Sequence, residues 1–173
     1  LPANLKGIDS VWSINGYEQF FYSTVMMLKP MSILQFGVYQ GYSLIAMAAA
    51  LEELNRGTII GVDLFDQYPY KHCSLDTARQ NIIDSGYDLF RRTALQEKGM
   101  WQVEPRELDI LHVDVPNDAF SYLRIFKEWG PHVRQTILLE GGSPERDQAY
   151  WMVKYGHPPI APIMDELREQ YPE

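Results

Sequence analysis

The sequence predicts an α/β fold: a doubly wound, mostly parallel sheet with helices on both faces. Three observations carry this. Apolar runs of strand length alternate with segments of helical period, a glycine-containing turn joins the first such run to the helix after it, and three runs end in the carboxylates Asp63, Asp114 and Glu140.

The first helical stretch is expected from Asn15 to Leu28, with Phe20, Phe21, Tyr22, Val25, Met26 and Leu28 as its apolar face and Pro30 as its stop. It would cover the sheet. Ser32 to Phe36 is the first strand, ending in Gly37, and Tyr42 to Asn55 is a helix by its Leu, Ile, Met and Ala content. Gly57 is expected to close that helix before a second buried strand, Thr58 to Val62, which ends at Asp63. Ser74 suits the cap of a helix from Leu75 to Asp84. Leu89 to Leu95 is the candidate third strand, and Arg91 and Arg92 suit an edge better than a buried position. Leu108 to Asp114 is a strand, Ala119 to Trp129 a helix and Thr136 to Glu140 the last strand.

The chain has 173 residues, of which 46% are hydrophobic and 22% charged, so one core and one domain over 1–173 are expected. Its parts are a covering helix in 1–30, a sheet core in 31–142 and C-terminal helices in 143–173. A net charge of -8, with Lys and Arg scattered, argues against nucleic acid and anionic membranes as partners. No apolar stretch reaches the roughly 20 residues that span a bilayer, and the one cysteine, Cys73, precludes an internal disulfide. The expectation is a cytoplasmic protein.

The segment Phe36-Gly37-Val38-Tyr39-Gln40-Gly41-Tyr42-Ser43 lies between a strand and its helix, where glycines allow a tight turn and close approach of a ligand to the backbone. Asp63 follows about 20 residues on, at the next strand end, where a carboxylate can accept hydrogen bonds from both hydroxyls of a ribose. This strand, turn, helix, strand and acid suit a nucleoside-containing cofactor.

Ile33-Leu34-Gln35-Phe36-Gly37-Val38-Tyr39-Gln40-Gly41-Tyr42-Ser43 resembles the first motif of class I S-adenosylmethionine-dependent methyltransferases, which have a Rossmann-like fold. With Leu111-His112-Val113-Asp114 and Leu138-Leu139-Glu140, the chain is most similar to the macrocin and sugar-modifying small-molecule O-methyltransferases. The resemblance implies S-adenosylmethionine as cofactor and a small-molecule acceptor, expected to be methylated on a hydroxyl of a sugar or natural product. Gly37 and Gly41 would border the methionine part, Ser43 would bond its carboxylate, Asp63 would hold the ribose, and Gln35, where most relatives are acidic, would face the amino group.

A hydroxyl acceptor requires a base, and Asp114, His112 and Glu140 are the candidates. Strand alternation puts His112 and Asp114 on the same side. The resemblance also implies magnesium as an additional ion, with Asp114 and Glu140 in the ligand positions and Gly141 where such enzymes carry Asp or Asn. Ser143 and Pro144 suit a helix start, with Arg146 or Asp147 reaching inward. Tyr68, Tyr70 and His72 are candidates for a lid, and Trp151, Tyr155 and His157 for a second wall or a homo-oligomer contact. The resemblance further implies an antiparallel hairpin after the fifth strand, yet no clear strand follows Trp151.

Two other functions compete. A nicotinamide- or nucleotide-binding oxidoreductase uses the same grammar, but its Gly-x-Gly-x-x-Gly fingerprint is not met. A non-catalytic interaction module on a degenerate methyltransferase-like fold is favoured by Gln35 and Gly141 and opposed by intact Gly37, Gly41 and Asp63.

Overall fold

The computed structural model describes residues 3–10, 13, 16–69, 73–86, 89–115, 118–141 and 144–170. Five strands, β1 (Ser32–Phe36), β2 (Thr58–Asp63), β3 (Thr93–Glu97), β4 (Leu108–Val113) and β5 (Val133–Leu139), form one sheet in the order β3-β2-β1-β4-β5. Every pairing is parallel. The strand order therefore reverses between β1 and β4. In open parallel sheets, the crevice beyond that reversal is where ligands bind.

Side-chain alternation splits the core into two. Ile33, Ile59 and Ile110 face one cluster with Val25 of α1 (Glu18–Leu28), Leu44 of α2 (Tyr42–Glu53) and Ile82 of α3 (Leu75–Asp84). Leu34, Phe36, Val62, Leu111 and Val113 face the other, with Tyr122 and Trp129 of α4 (Ala119–Trp129). The later helices α5 (Pro144–Asp147), α6 (Tyr150–Tyr155) and α7 (Ala161–Gln170) follow β5, with Met152 and Leu167 in this second cluster. No strand follows β5 among the described residues.

Helix α2 is buried from Tyr42 to Leu51 because the sheet lies on one side of it and α1 on the other. A helix apolar all round needs such double cover. A connection of only three residues joins α1 to β1, so α1 runs antiparallel to β1 and starts at the carboxyl end of the sheet.

Several boundaries differ from the sequence reading, among them β5, which begins at Val133 rather than Thr136 and ends at Leu139. The third strand begins at Thr93, after a 3-10 turn over Leu89–Arg91, and it is an edge strand. Arg91 and Arg92 lie before it, and their side chains both pair with Glu52 at the end of α2, Arg92 Nε at 2.9 Å, while the Arg92 carbonyl accepts from Ile59 N–H of β2 at 2.7 Å. After α2 the left-handed residue nearest its end is Asn55; at Gly57 a Cβ would lie 2.5 Å from the Pro30 carbonyl oxygen. The start expected at Asn15 lies outside the described residues, and α1 begins at Glu18. No helix among the described residues is long and apolar enough to cross a membrane.

A register irregularity between Leu108 and Ile110 re-aims Asp109, whose carboxylate accepts from the backbone N–H of Met31 at 2.6 Å and Ser32 at 3.1 Å. Arg134 of β5 lies 2.9 Å away. Burial raises the pKa of this acid, but the two N–H donors and Arg134 outweigh it and hold the carboxyl below its ordinary value. A depressed acid stabilises the fold above its unfolded pKa near 4, and that contribution is lost as pH falls through the folded value. Asp109→Asn should therefore lower the unfolding free energy at pH 7 by about 1–3 kcal/mol. In chemical denaturation the gap from wild type should narrow below about pH 4.

Candidate active site

Gly37 follows β1 and Asp114 follows β4, so the two residues flank the reversal of strand order. Gly37 has φ +85°, and a Cβ built on it would overlap the Asp114 carbonyl oxygen and lie 2.7 Å from Val115 Cγ1. This corrects the reason given for the glycine. The space a side chain would take is filled by the protein's own chain just after β4, at Asp114 and Val115. Gly41 differs: its φ of +93° demands glycine, yet its Cβ would meet only Ile45 at ordinary contact distance.

The turn between these glycines wraps a carboxylate. Asp63 Oδ2 accepts from the N–H of Val38 at 2.6 Å and of Tyr39 at 2.8 Å, while Oδ1 accepts from Phe65 N–H at 2.9 Å. Successive N–H groups of this kind form an anion-binding nest. A carboxylate offers roughly four acceptor positions, so Asp63 can hold the turn and still take a ribose hydroxyl.

Gln35 is fully buried, and its Nε2 donates to Gly37 O at 2.6 Å and to Ser43 Oγ at 2.9 Å. It thus fixes both ends of the glycine turn, and Ser43 keeps its hydroxyl proton to donate. Gln35 Oε1 is buried with no hydrogen-bond partner among the described residues. Buried acceptors are nearly always satisfied, so this atom invites a donor.

His112 pairs in register with Gln35 and lies on the same side of the sheet. It is 1% exposed, its ring centroid is 5.0 Å from that of Phe21 of α1, and burial pulls its pKa down to about 3. This corrects the assignment of His112 as a candidate base: an imidazole sealed under α1 with so low a pKa does not collect an acceptor's proton near neutral pH.

At the ends of β4 and β5, Asp114 N–H donates to Phe36 O at 2.8 Å and Glu140 N–H to Val113 O at 3.0 Å. Tyr122 of α4, which the sequence reading does not single out, donates its hydroxyl to Glu140 O at 2.6 Å. Burial first, then the charges of Glu140 and Asp114, push that phenol upward. Arg146 approaches Glu140 Oε1 at 3.7 Å, both side chains being mostly buried. Two carboxylates, a phenol and a guanidinium thus gather here. Asp147 instead accepts from Ile160 N–H and Ala161 N–H at 2.7 and 2.9 Å and holds the start of α7.

Nothing in this set favours magnesium. The Glu140 carboxylate faces a cation, and no group of three or more His, Cys, Asp or Glu side chains among the described residues is disposed around a metal. Cys73 is a buried free thiol that donates to Ser74 O, and burial raises its pKa, which suits an inert packing residue. Ser143, Tyr70 and His72 lie outside the described residues.

A parallel sheet with a glycine turn and an acid at its reversal defines the class of α/β domains that bind nucleoside cofactors. The chain belongs to the methyltransferase-domain family, whose model matches residues 34–139. Among solved structures, an O-methyltransferase from Bacillus cereus in complex with S-adenosylhomocysteine is 20% identical with a TM-score of 0.64, over 98% of this chain and 74% of that one. The O-methyltransferase TomG from Streptomyces achromogenes, involved in tomaymycin synthesis and solved with S-adenosylmethionine, is 12% identical with a TM-score of 0.66, over 96% and 70%. The S-adenosylhomocysteine-bound methyltransferase PaMTH1 from Podospora anserina is 18% identical with a TM-score of 0.60, over 88% and 67%. No curated protein sequence matches the chain.

Two outcomes check this geometry. Gly37→Ala should destabilise the fold by several kcal/mol, since it adds a clash with backbone to a left-handed conformation, whereas Gly41→Ala should cost about 1–2 kcal/mol, as read by denaturation. His112 is neutral when folded and titrates near 6.5 when unfolded, so its contribution to stability is present above about pH 6.5 and is lost as pH falls from there toward 3. The pH–stability profile of His112→Leu should be flatter across that window.

Proposed function

We propose that the chain transfers a methyl group from S-adenosylmethionine to a hydroxyl of a small-molecule acceptor. The observation that carries this is the glycine turn closed on Asp63 at the point where strand order reverses, with Gln35 Oε1, which has no partner among the described residues, beneath it. When bound, the cofactor would supply a sulfonium methyl group for in-line attack by an acceptor oxygen, with the thioether S-adenosylhomocysteine as leaving group.

The chain's residues bind and orient for that step. Asp63 takes the ribose, Ser43 donates to the methionine carboxylate, and Gln35 Oε1 accepts from the amino group. Gly37 and Gly41 give the turn its course beside the methionine part. Asp114, at the β4 end next to Gly37, is the proton acceptor for the hydroxyl, and Glu140, held by Arg146, forms the far wall. Effective proton transfer needs such a group within hydrogen-bond reach of the acceptor.

An open depression of about 550 Å³ lies between the segment around Leu5, Lys6 and Ile8, the start of α1 at Glu18, and Tyr42 at the start of α2. Burial and then the hydrogen bond to Glu18 raise the Tyr42 hydroxyl.

Calorimetric titration with S-adenosylmethionine, S-adenosylhomocysteine and NAD tests the reading. Saturable binding of the first two and not of NAD is expected. Asp63→Ala should weaken binding about tenfold or more, by loss of charge-assisted hydrogen bonds, while Asp114→Asn retains affinity. Binding of NAD alone would overturn the assignment in favour of an oxidoreductase, and binding of none in favour of an interaction module.

A further inference from the structure

Tyr39 is a non-glycine residue held at φ +50° inside the turn that grips Asp63. A left-handed conformation at a tyrosine is sparsely populated and persists only where its surroundings over-determine it. The N-terminal segment supplies that constraint. Tyr39 Oη donates to Asp9 Oδ2 at 2.9 Å, and Asp9 N–H donates to Gln40 Oε1 at 2.8 Å. Gln40 Nε2 in turn reaches Tyr39 Oη at 3.5 Å, so the three residues close a ring.

Both sides of the ring are anchored elsewhere. Asn81 of α3 donates from Nδ2 to Gln40 O at 2.9 Å. Asn4 N–H donates to Ser85 O at the end of α3 at 2.9 Å, and Ile8 is buried in the core. Residues 4–9 thus run from the end of α3 to the tip of the turn. The turn is pulled from below by Asp63 and from outside by Asp9.

From this geometry we infer that Asp9 is a positioning residue for cofactor binding: acting through Tyr39 and Gln40, it holds the glycine turn in the conformation that presents the turn's backbone and Asp63 to the cofactor. It is distant in sequence from the motif and does not itself touch the ligand. The inference rests on the cofactor reading above.

The test is a double-mutant cycle on S-adenosylhomocysteine affinity, with amide hydrogen exchange of the ligand-free protein alongside. Asp9→Ala and Tyr39→Phe should each weaken binding about fivefold, the effect of one hydrogen bond. The double variant should be no weaker than either single one, because both remove the same interaction. Asp9→Asn, which retains a carbonyl acceptor, should recover most of the loss. Exchange at the Tyr39 and Gly41 amides should quicken in both single variants and not in Asp9→Asn. Wild-type affinity in Asp9→Ala while Asp63→Ala loses binding would overturn this role and leave the cofactor reading standing. Independent, multiplying effects, or exchange unchanged in Asp9→Ala, would also overturn it. A wild-type chain that binds no S-adenosylhomocysteine would overturn the cofactor reading itself and this role with it.

Discussion

The contact on which the site depends is the approach of the Asp114 carbonyl to Gly37. Two parallel strands must diverge at their carboxyl ends for a crevice to form, and here the chain leaves β1 and β4 so closely that only a hydrogen atom fits between them. The left-handed turn that starts at Gly37 sends the backbone over Asp63 and into α2. The Phe36 carbonyl meanwhile accepts from Asp114 N–H and locks the β4 exit in register. A side chain at this position would force the two exits apart, and the turn, the acid and the start of α2 would shift with them.

Around this contact the polar groups divide into those consumed by the fold and those kept for a ligand. Asp109 is consumed, clamping the amino ends of β1 and β5 to β4. Glu52 is consumed, gathering the arginines before β3. Asp147 caps α7. At the carboxyl end the balance differs. Gln35 satisfies its amide nitrogen twice and leaves its oxygen without a partner among the described residues, and Asp63 holds three N–H groups with acceptor capacity remaining. Among the described residues, His112 Nδ1 beside Gln35 is a further buried atom without a hydrogen-bond partner, so open valences gather near this end of β1 and β4.

Electrostatics give the two strand-end carboxylates different surroundings. Glu140 faces Arg146 and its backbone takes the Tyr122 hydroxyl, so it is built into the wall of the crevice. Asp114 stands at the reversal itself, next to Gly37. His112, in register with Gln35 and under Phe21, lies on the α1 side of the sheet and contributes packing.

Much of the fold was legible in the sequence because its signals are local. Strand-length apolar runs and helical periods place β1, β2, β4 and α2 to α4 within a few residues, and a φ of +85° at Gly37 or +93° at Gly41 leaves glycine as the natural occupant whatever surrounds it. Arg91 and Arg92 blurred the third strand because local pattern does not show that Glu52, far along the chain, takes up both of their side chains. The candidate site divides in the same way. The sequence by itself determined that a glycine turn is followed by an acid at the next strand end, since both needs are met by residues within one strand-helix-strand unit. Only the tertiary structure decided that the Asp114 backbone excludes a side chain at Gly37, that His112 is sealed beneath α1, that Arg146 faces Glu140, and that Asp9 braces Tyr39, because each depends on which segments far apart in the chain are packed against each other.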